Sequence, residues 1–444
     1  MSIINKVEVK TTPINFNYQP PVQTNNKEIS QINTILNNNF NEETLDLNAN
    51  SNSEYEIKYK KINTVEDRYV NLRDTKNPEK IIGYIGKNEV VEVISQPLQI
   101  DGKTYWQVKL KAGGMALIGD GTHIIDATEE EIEEYNSHNL KVKTVDSFDD
   151  IASEKIKQAV LDNQDDLKNA GIITVTDNTF MTVNNKYIND SFYTITHVII
   201  EDPSQMINIQ SFDQYGTGGE TISSMAYRTE DLVAAFTGSF FISNGIHNIH
   251  AVDQNGNPAH GDNHVVIIDE ELVDTDTVGL VNDSNREEAL NTVAGTQIIC
   301  LDKDGNLFYA PEGATAKQLI EEYNVTNTFV SHETPRLSDG KLLHATEIQT
   351  EDGITYNFED NYEWDYDYNR TYICMKEPGE YYFIQGFGTP ANAMVYAKDE
   401  LNCKFAGSLE QGGAVALMTG DITVMDHVKY EGIGNAVAFV DNPR

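Results

Sequence analysis

LEQGGAVALM, residues Leu409 to Met418, decides how the rest of the chain is read. An acid and an amide, Glu410 and Gln411, precede the pair Gly412-Gly413, and a run of small apolar residues follows. Glycine has no Cβ, so the pair can turn with φ > 0 or let a ligand or another backbone approach closely. Glu410 and Gln411 then sit at the mouth of a turn that leads into a buried strand. On spacing alone, the simple reading is a glycine turn before a core strand. Stretches elsewhere in the chain shift that reading towards a site.

The chain has 444 residues, too many for one ordinary domain, and two to four are expected. Its 32 Lys and Arg stand against 70 Asp and Glu, a net charge of -38. Such a surface repels phosphate backbones and anionic lipid, so a nucleic-acid partner is not expected. High solubility explains the charge equally well. The cysteines, Cys300, Cys374 and Cys403, lack a CxxC spacing and read as small core residues. The opening residues MSIINKVEVKTTP contain no apolar core of a signal peptide. No apolar run of membrane-spanning length occurs either, so neither signal-peptide export nor membrane insertion is expected.

Residues 1–54 are rich in Asn, Gln, Thr and Ser and read as a polar arm that anchors to a partner or stays unstructured. Within it, Ile32, Ile35, Leu36 and Phe40 suit a short docking helix. Residues 55–126 change to short alternating runs: Tyr69–Arg73, Ile81–Ile85, Val90–Ile94, Tyr105–Leu110 and Met115–Ile118. Turn signals at Asn77-Pro78, Gly86-Lys87-Asn88, Asp101-Gly102 and Gly113-Gly114 separate them. Five strands so spaced read as a small antiparallel barrel. Asn71, Leu72, Arg73, Gly86, Trp106 and Val108 fall in the order of the bacterial Src-homology-3-like domains, which this region resembles. The resemblance implies peptidoglycan binding or a spacer role. Trp106 is then either a sugar platform or, more simply, a core ring.

Residues 127–170 are acidic and read as a helical linker, with Ser147 as N-cap and Asp150 three residues on. Residues 171–444 alternate strand runs with a few helices. The strand candidates are Ile172–Val175, Tyr193–Ile200, Met206–Ser211, Leu232–Phe236, Val265–Asp269, Gln297–Leu301, Thr328–Ser331, Thr371–Met375, Tyr381–Gln385 and Ala436–Val440. Thr315 with Gln318 forms a capping box, and Thr389-Pro390 places a cap before a proline at the first helical position. Asp304-Gly305 and Asn255-Gly256 read as hairpin turns. The expected fold is multidomain: a small all-β barrel plus a larger α+β domain with a mixed sheet.

Several stretches of the large region stand in the order of the phosphodiester glycosidase family, the N-acetylglucosamine-1-phosphodiester alpha-N-acetylglucosaminidase-like proteins. THVIIEDPSQMINIQSF resembles the family's opening strand, and TGSFF, Thr237 to Phe241, its Asn-Gly-Gly-Phe-Phe turn. NRTYICM keeps the Arg-Thr pair as Arg370 and Thr371. EQGGAVALM stands where the family has Asp-Gly-Gly-Gly-Ser-Ser, and YEGIGNAVAFV is similar to its last strand. The similarity spans roughly residues 193–440.

The resemblance implies a site for a sugar phosphodiester. Arg370 is expected to hold phosphate through its planar fork. Thr237, Gly238, Gly412 and Gly413 are expected to bind phosphate or sugar, the glycines through backbone N–H groups. The family's aspartate falls on Glu410 or Gln411, according to register, and both stay open as the catalytic position. Gln411 cannot be a base. The family's asparagine is Thr237 here, its second glycine Ser239, and its serines Ala414 and Val415. These departures point to an altered or worn site.

Other constellations are weaker. His247, His250, His260 and His264 surround Asp253 and Asp262, yet they lie in a loop without a ligand-pair motif, so no metal is expected. Asp365, Asp367 and Asn369 open like a calcium loop, but Arg370 stands where glycine is required. No motif asks for a cofactor.

A wall-binding type of module joined to a sugar-phosphodiester type of domain suits work outside a cell, whereas the chain shows no export signal. A bacteriophage tail or baseplate protein reconciles the two. The expected partners are other virion tail proteins through the arm, and cell-wall glycan or peptidoglycan. The expected place is the virion, or otherwise the extracellular space or cell surface, with the chain a homo-oligomer within an assembly. An active hydrolase of wall polymers and a purely structural tail adaptor are the alternatives.

Overall fold

A computed structural model of the chain describes residues 29–34, 58–64, 70–85, 89–110, 113–121, 123–133, 145, 147–189, 191–210, 221–239, 265–275, 277–295, 297–331, 336–343, 368–411, 415–419, 422–426 and 434–443. About half of these residues are in strands, far more than in helices, and every strand pairing among them is antiparallel. The expected α+β domain with a mixed sheet is therefore corrected to a predominantly β fold built from several separate open sheets. The physical reason is connection length. Short hairpins such as Met375–Gly379–Glu380 and Ile188–Ser191 join neighbouring strands, and a tight turn can pair only antiparallel strands.

The large sheet has eight strands. In spatial order they are Lys341–Leu343, Arg336–Ser338, Phe405–Gln411, Tyr368–Glu377, Glu380–Gly388, Ser191–Ile200, Thr179–Ile188 and Ile172–Val175. The strand Thr179–Ile188 escapes the sequence reading because Asn184, Asn185 and Lys186 break its apolar pattern. A five-stranded sheet packs on one face of the large one. Its order is Met206–Gln210, Asn435–Val440, Leu232–Thr237, Ala416–Thr419, Ile422–Asp426.

The core between these two sheets is aromatic. Phe236 and Phe383 stack at 3.6 Å between ring centroids, and Phe439 stands edge-on to Phe383 at 5.9 Å. A three-stranded sheet, Leu307–Tyr309, Ile298–Asp302 and Val325–Val330, adds Ile299, Leu301, Leu307 and Phe329 to the same cluster. Burying each such side chain contributes roughly 2–3 kcal/mol. Gly305 takes φ 84 in the turn between two of these strands, where Asp304-Gly305 was expected.

Helices cover the other face of the large sheet. Pro390–Asp399 starts at the Thr389 cap with Pro390 in its first turn and lies over Tyr372, Cys374 and Ile384. Glu154–Asp162 and Gln164–Asn169 cover Ile173, Phe180 and Ile199. Ser147 caps only the short turn Phe148–Asp150, and the helix proper starts after a second cap at Ser153. Thr315 and Gln318 form both bonds of their capping box ahead of Ala316–Glu321. Of the arm, residues 29–34 are helical, with Ile32 fully buried among Phe148, Ile151 and Ile156. Ile35, Leu36 and Phe40 lie outside the described residues.

The small β module was expected to close as a Src-homology-3-like barrel. Its sheet is open instead: the end strands Ile81–Ile85 and Ile124–Asp126 are not paired with each other. Ile81–Ile85 turns its outer side to the large domain, where Tyr84 meets Phe387 edge-on at 5.1 Å. A strand that packs sideways on another sheet in this way is not brought back to close a barrel. The module keeps an apolar interior of Ile62, Val70, Ile82, Val93, Val108 and Ile118.

Candidate functional site

Among the sequence candidates in the large region, Thr237 and Gly238 lie at one end of the two-sheet core, where aromatic packing gives way to polar side chains, and Arg370 lies on the opposite face of the large sheet. Along Glu380–Gly388, alternation sends Phe383 into the inter-sheet core and brings Gln385 to the same side one step further on. Along Tyr368–Glu377, Ile373 and Thr371 stand in the same relation. Gln385 is fully buried; its Nε2 donates to Thr371 Oγ1 at 3.1 Å and to the Ala416 carbonyl at 2.9 Å. The second bond crosses from the large sheet to the five-stranded sheet. Gln385 Oε1 is buried with no hydrogen-bond partner among the described residues.

Thr237 ends its strand directly beside Ala416. Its Oγ1 accepts from Ala416 N at 2.7 Å and donates to the Ala416 carbonyl at 3.3 Å. Gly238 N donates to the Asn435 carbonyl at 3.1 Å. Asn435 then holds the next residue twice: its Oδ1 accepts from Ser239 N at 2.6 Å and its Nδ2 donates to Ser239 Oγ at 3.0 Å. Ser239 Oγ also accepts from Val330 N at 3.0 Å. A Cβ on Gly238 would collide with Asn435, so glycine is required here by close approach. The Thr237-Gly238-Ser239 turn is thus fixed by neighbouring strands, and these bonds engage the Thr237 hydroxyl and the Gly238 amide.

Arg370 is 3% exposed and lies where three strands converge. It is the register partner of Gln411 on one side and of Gly386 on the other. Gly386 pairs in turn with Tyr193 and has φ 140, a conformation that its neighbours' close approach reserves for glycine. Arg370 Nη1 donates to the Gly388 carbonyl at 3.3 Å. Burial raises the Tyr372 hydroxyl above the ordinary tyrosine range, and the Arg370 charge beside it opposes that shift. Arg370 therefore shares the helix-covered side of the sheet with Tyr372, opposite the side of Gln385 and Thr371.

The backbones of Glu410 and Gln411 end the strand Phe405–Gln411. Gly412 and Gly413 lie outside the described residues, as do His247, His250, His260, His264, Asp253, Asp262, Asp365 and Asp367. The strand Ala416–Thr419 then follows, fully buried, as the simple reading of LEQGGAVALM expected. Strand pairing thus brings Arg370 to Gln411, while side-chain bonding brings Thr237 to Ala416 just past the glycine pair. Trp106 is apart from all of these. It is half-buried in the small module, its Nε1 donates to Asp120 at 3.1 Å, and Lys60 Nζ lies 5.1 Å from its ring centroid. No group of three His, Cys, Asp or Glu able to hold a metal exists among the described residues.

Gln385 and Asn435 were not singled out from sequence. The signal for Gln385 is an amide at an inward position of the buried run YYFIQ, and for Asn435 an amide opening NAVAFV. A second polar cluster was also missed. His197, buried on the helix-covered face, lies 3.1 Å from Glu380 and 3.5 Å from Asp166, and stacks on Tyr382 at 4.1 Å. Lys376 Nζ and Tyr382 OH also donate to Glu380.

No family model and no curated protein matches the chain. Among solved structures it is similar to the catalytic domain of zebrafish N-acetylglucosamine-1-phosphodiester alpha-N-acetylglucosaminidase, auto-inhibited by its pro-peptide. That likeness has a TM-score of 0.40 and 12% identity, over 60% of this chain and 83% of that one. It is also similar to a hypothetical protein from Synechocystis, with a TM-score of 0.37 and 11% identity, over 86% of this chain and 81% of that one. Neither likeness bears on the chemistry of the site.

Proposed function

We propose that the chain is a bacteriophage tail or baseplate component that contacts host cell-wall glycan, and that its glycosidase-like region binds a sugar phosphodiester rather than cleaving it. The observation that carries the reading is the placement of Arg370. A buried guanidinium, held by the Gly388 carbonyl, stands in register with Gln411 at the start of the glycine-pair stretch. A buried guanidinium can hold an anion through charge-assisted hydrogen bonds. The residue opposite Arg370 is an amide, which can donate and accept hydrogen bonds but not take a proton as a base. Binding without turnover follows from that substitution. The ordered motifs from THVIIEDPS to YEGIGNAVAFV support the choice of a sugar-phosphodiester ligand.

Glu410 favours a second reading, an active hydrolase of wall polymers, because it puts a carboxylate one residue before Gln411. One experiment separates the two. The full chain is incubated with purified glycerol-phosphate and sugar-phosphate wall polymers, and both retained protein and released sugar are measured. Retention without release supports the binding reading, whereas release that Glu410→Gln abolishes supports the hydrolase. Neither retention nor release would overturn both. Mass spectrometry of purified particles tests the virion role, and recovery of the chain only from host cytosol would refute it.

A further inference from the structure

The small β module does not hang from the large domain by a linker alone. Four contacts fix it to the end of the large sheet. Phe192, from the strand Ser191–Ile200, is buried in the module's own apolar cluster. Tyr187 packs on Phe192 at 5.0 Å and donates its hydroxyl to Asp74 of the module at 2.9 Å. Asp74 is itself buried and accepts from the amides of Lys76 and Asn77, so its carboxylate is held firmly. Asn185, steadied by Thr194 Oγ1 at 2.7 Å, donates to the Gly113 carbonyl at 2.7 Å. Tyr84 meets Phe387 edge-on at 5.1 Å and 80°.

The last contact matters most, because Phe387 adjoins Gly388, the carbonyl that takes Arg370 Nη1. Phe387 is also the register partner of both Phe192 and Asn369. The module strand Ile81–Ile85 touches Ile422–Asp426 as well, the neighbour of Ala416–Thr419. The module therefore abuts Glu380–Gly388, which carries Gln385 and Gly388, and the edge strand beside Ala416–Thr419.

We infer that the small β module is a fixed wall at the Arg370 end of the large sheet, and that Tyr84, acting through Phe387, is a positioning residue for the Gly388–Arg370 pair. The functional part of this inference rests on the sugar-phosphodiester reading; the positional part does not. The Tyr84 ring limits movement of Phe387, which fixes the Gly388 carbonyl, which in turn orients a guanidinium that must present a planar fork. A module serving only as a spacer has no reason to bury a large-domain phenylalanine in its own core.

The test uses the full chain and three variants, Tyr84→Ala, Tyr84→Phe and Tyr187→Phe. Amide hydrogen exchange is followed across 368–372 and 385–392, with 154–169 as internal control. Binding of methyl α-glucos-1-yl phosphate, a minimal sugar phosphodiester, is measured by calorimetry in parallel. Tyr84→Ala is expected to speed exchange at 385–392 by about tenfold, a local opening eased without global unfolding, and to leave 154–169 unchanged. Tyr84→Phe keeps the ring and restores wild-type exchange, while Tyr187→Phe loses only the Asp74 bond and gives a smaller increase. If wild type binds the probe, Tyr84→Ala weakens binding and Tyr84→Phe does not. Unchanged exchange at 385–392 in Tyr84→Ala overturns the inference. A wild type that ignores the probe, with the exchange pattern as expected, counts against the ligand reading and leaves the module's positional role standing.

Discussion

Gln385 and Ala416 tie two sheets together: the Gln385 carboxamide donates to the Ala416 carbonyl at 2.9 Å, across the end of the aromatic core. The same carbonyl takes the Thr237 hydroxyl at 3.3 Å. One backbone oxygen thus gathers a strand end from each side of the candidate site. Because Gln385 is wholly buried, water cannot replace its bonds.

Gln385→Leu keeps the volume and removes the donor, so it is expected to destabilise the chain by about 1–3 kcal/mol. Gln385→Glu should cost more, since it buries a charge and faces a carbonyl with an acceptor. Urea midpoints at neutral pH rank the two. A Glu variant as stable as wild type would contradict the Gln385–Ala416 bond.

Arg370→Lys tests the geometry of the cation. Lysine retains the charge but loses the fork and reaches its partners as a point charge. Wall-polymer retention is expected to fall at least roughly tenfold, close to the loss in Arg370→Ala, with the circular dichroism spectrum preserved. Full retention by the lysine variant would show that charge alone suffices.

Gly388→Ala is expected to be poorly tolerated. An added Cβ would run into the Tyr193 ring and hydroxyl, and also approach Ser191 Cβ at 2.7 Å. Tyr193 is fully buried and its hydroxyl donates to the Thr389 carbonyl at 3.1 Å, so it cannot swing aside freely. Overpacking of this kind costs about 1–3 kcal/mol. Thermal denaturation of Gly388→Ala beside Gly388→Ala/Tyr193→Phe reads it, and the double variant recovers little, because most of the ring remains.

Glu380 predicts a pH dependence. Burial alone would raise its carboxyl, but hydrogen bonds from His197 and Lys376, with their charges, outweigh it and hold the group down at about 2. An unfolded glutamate titrates at about 4.3, so the folded value is the lower one. The stabilisation is therefore complete above that unfolded value and is lost as pH falls through the window down to about 2. Its full size is on the order of 3 kcal/mol. Glu380→Gln is expected to flatten the acid limb of a stability–pH curve between those values. An identical acid limb in wild type and variant would refute the arrangement.

The sequence by itself determined the local decisions. Short apolar runs marked Tyr193–Ile200 and Ala436–Val440 as strands, because a strand covered on both faces carries apolar residues on both. Thr315 with Gln318 and Thr389 with Pro390 marked helix starts, because caps satisfy amides within one turn. Cys300, Cys374 and Cys403 read correctly as core residues. Arg370 and the glycine-pair stretch were picked out from residues far apart in the chain, and strand pairing sets Arg370 opposite Gln411.

Only the tertiary structure decided which edges stay open and which side chains meet across sheets. Whether the small module closes depends on what its edge strand packs against, and Tyr84 finds its partner at Phe387, some three hundred residues away in the chain. Antiparallel rather than mixed pairing depends on which strands become neighbours, which no single strand's pattern encodes. Gln385 and Asn435 look like ordinary amides until Ala416 and Ser239 are set beside them. His197 and Glu380 likewise meet only because the register of Ser191–Ile200 with Glu380–Gly388 brings their strands together. Local conformation follows from each residue and its near neighbours. Long-range bonds between buried polar groups follow from the folded sheets that bring them within reach and exclude the water that would otherwise compete.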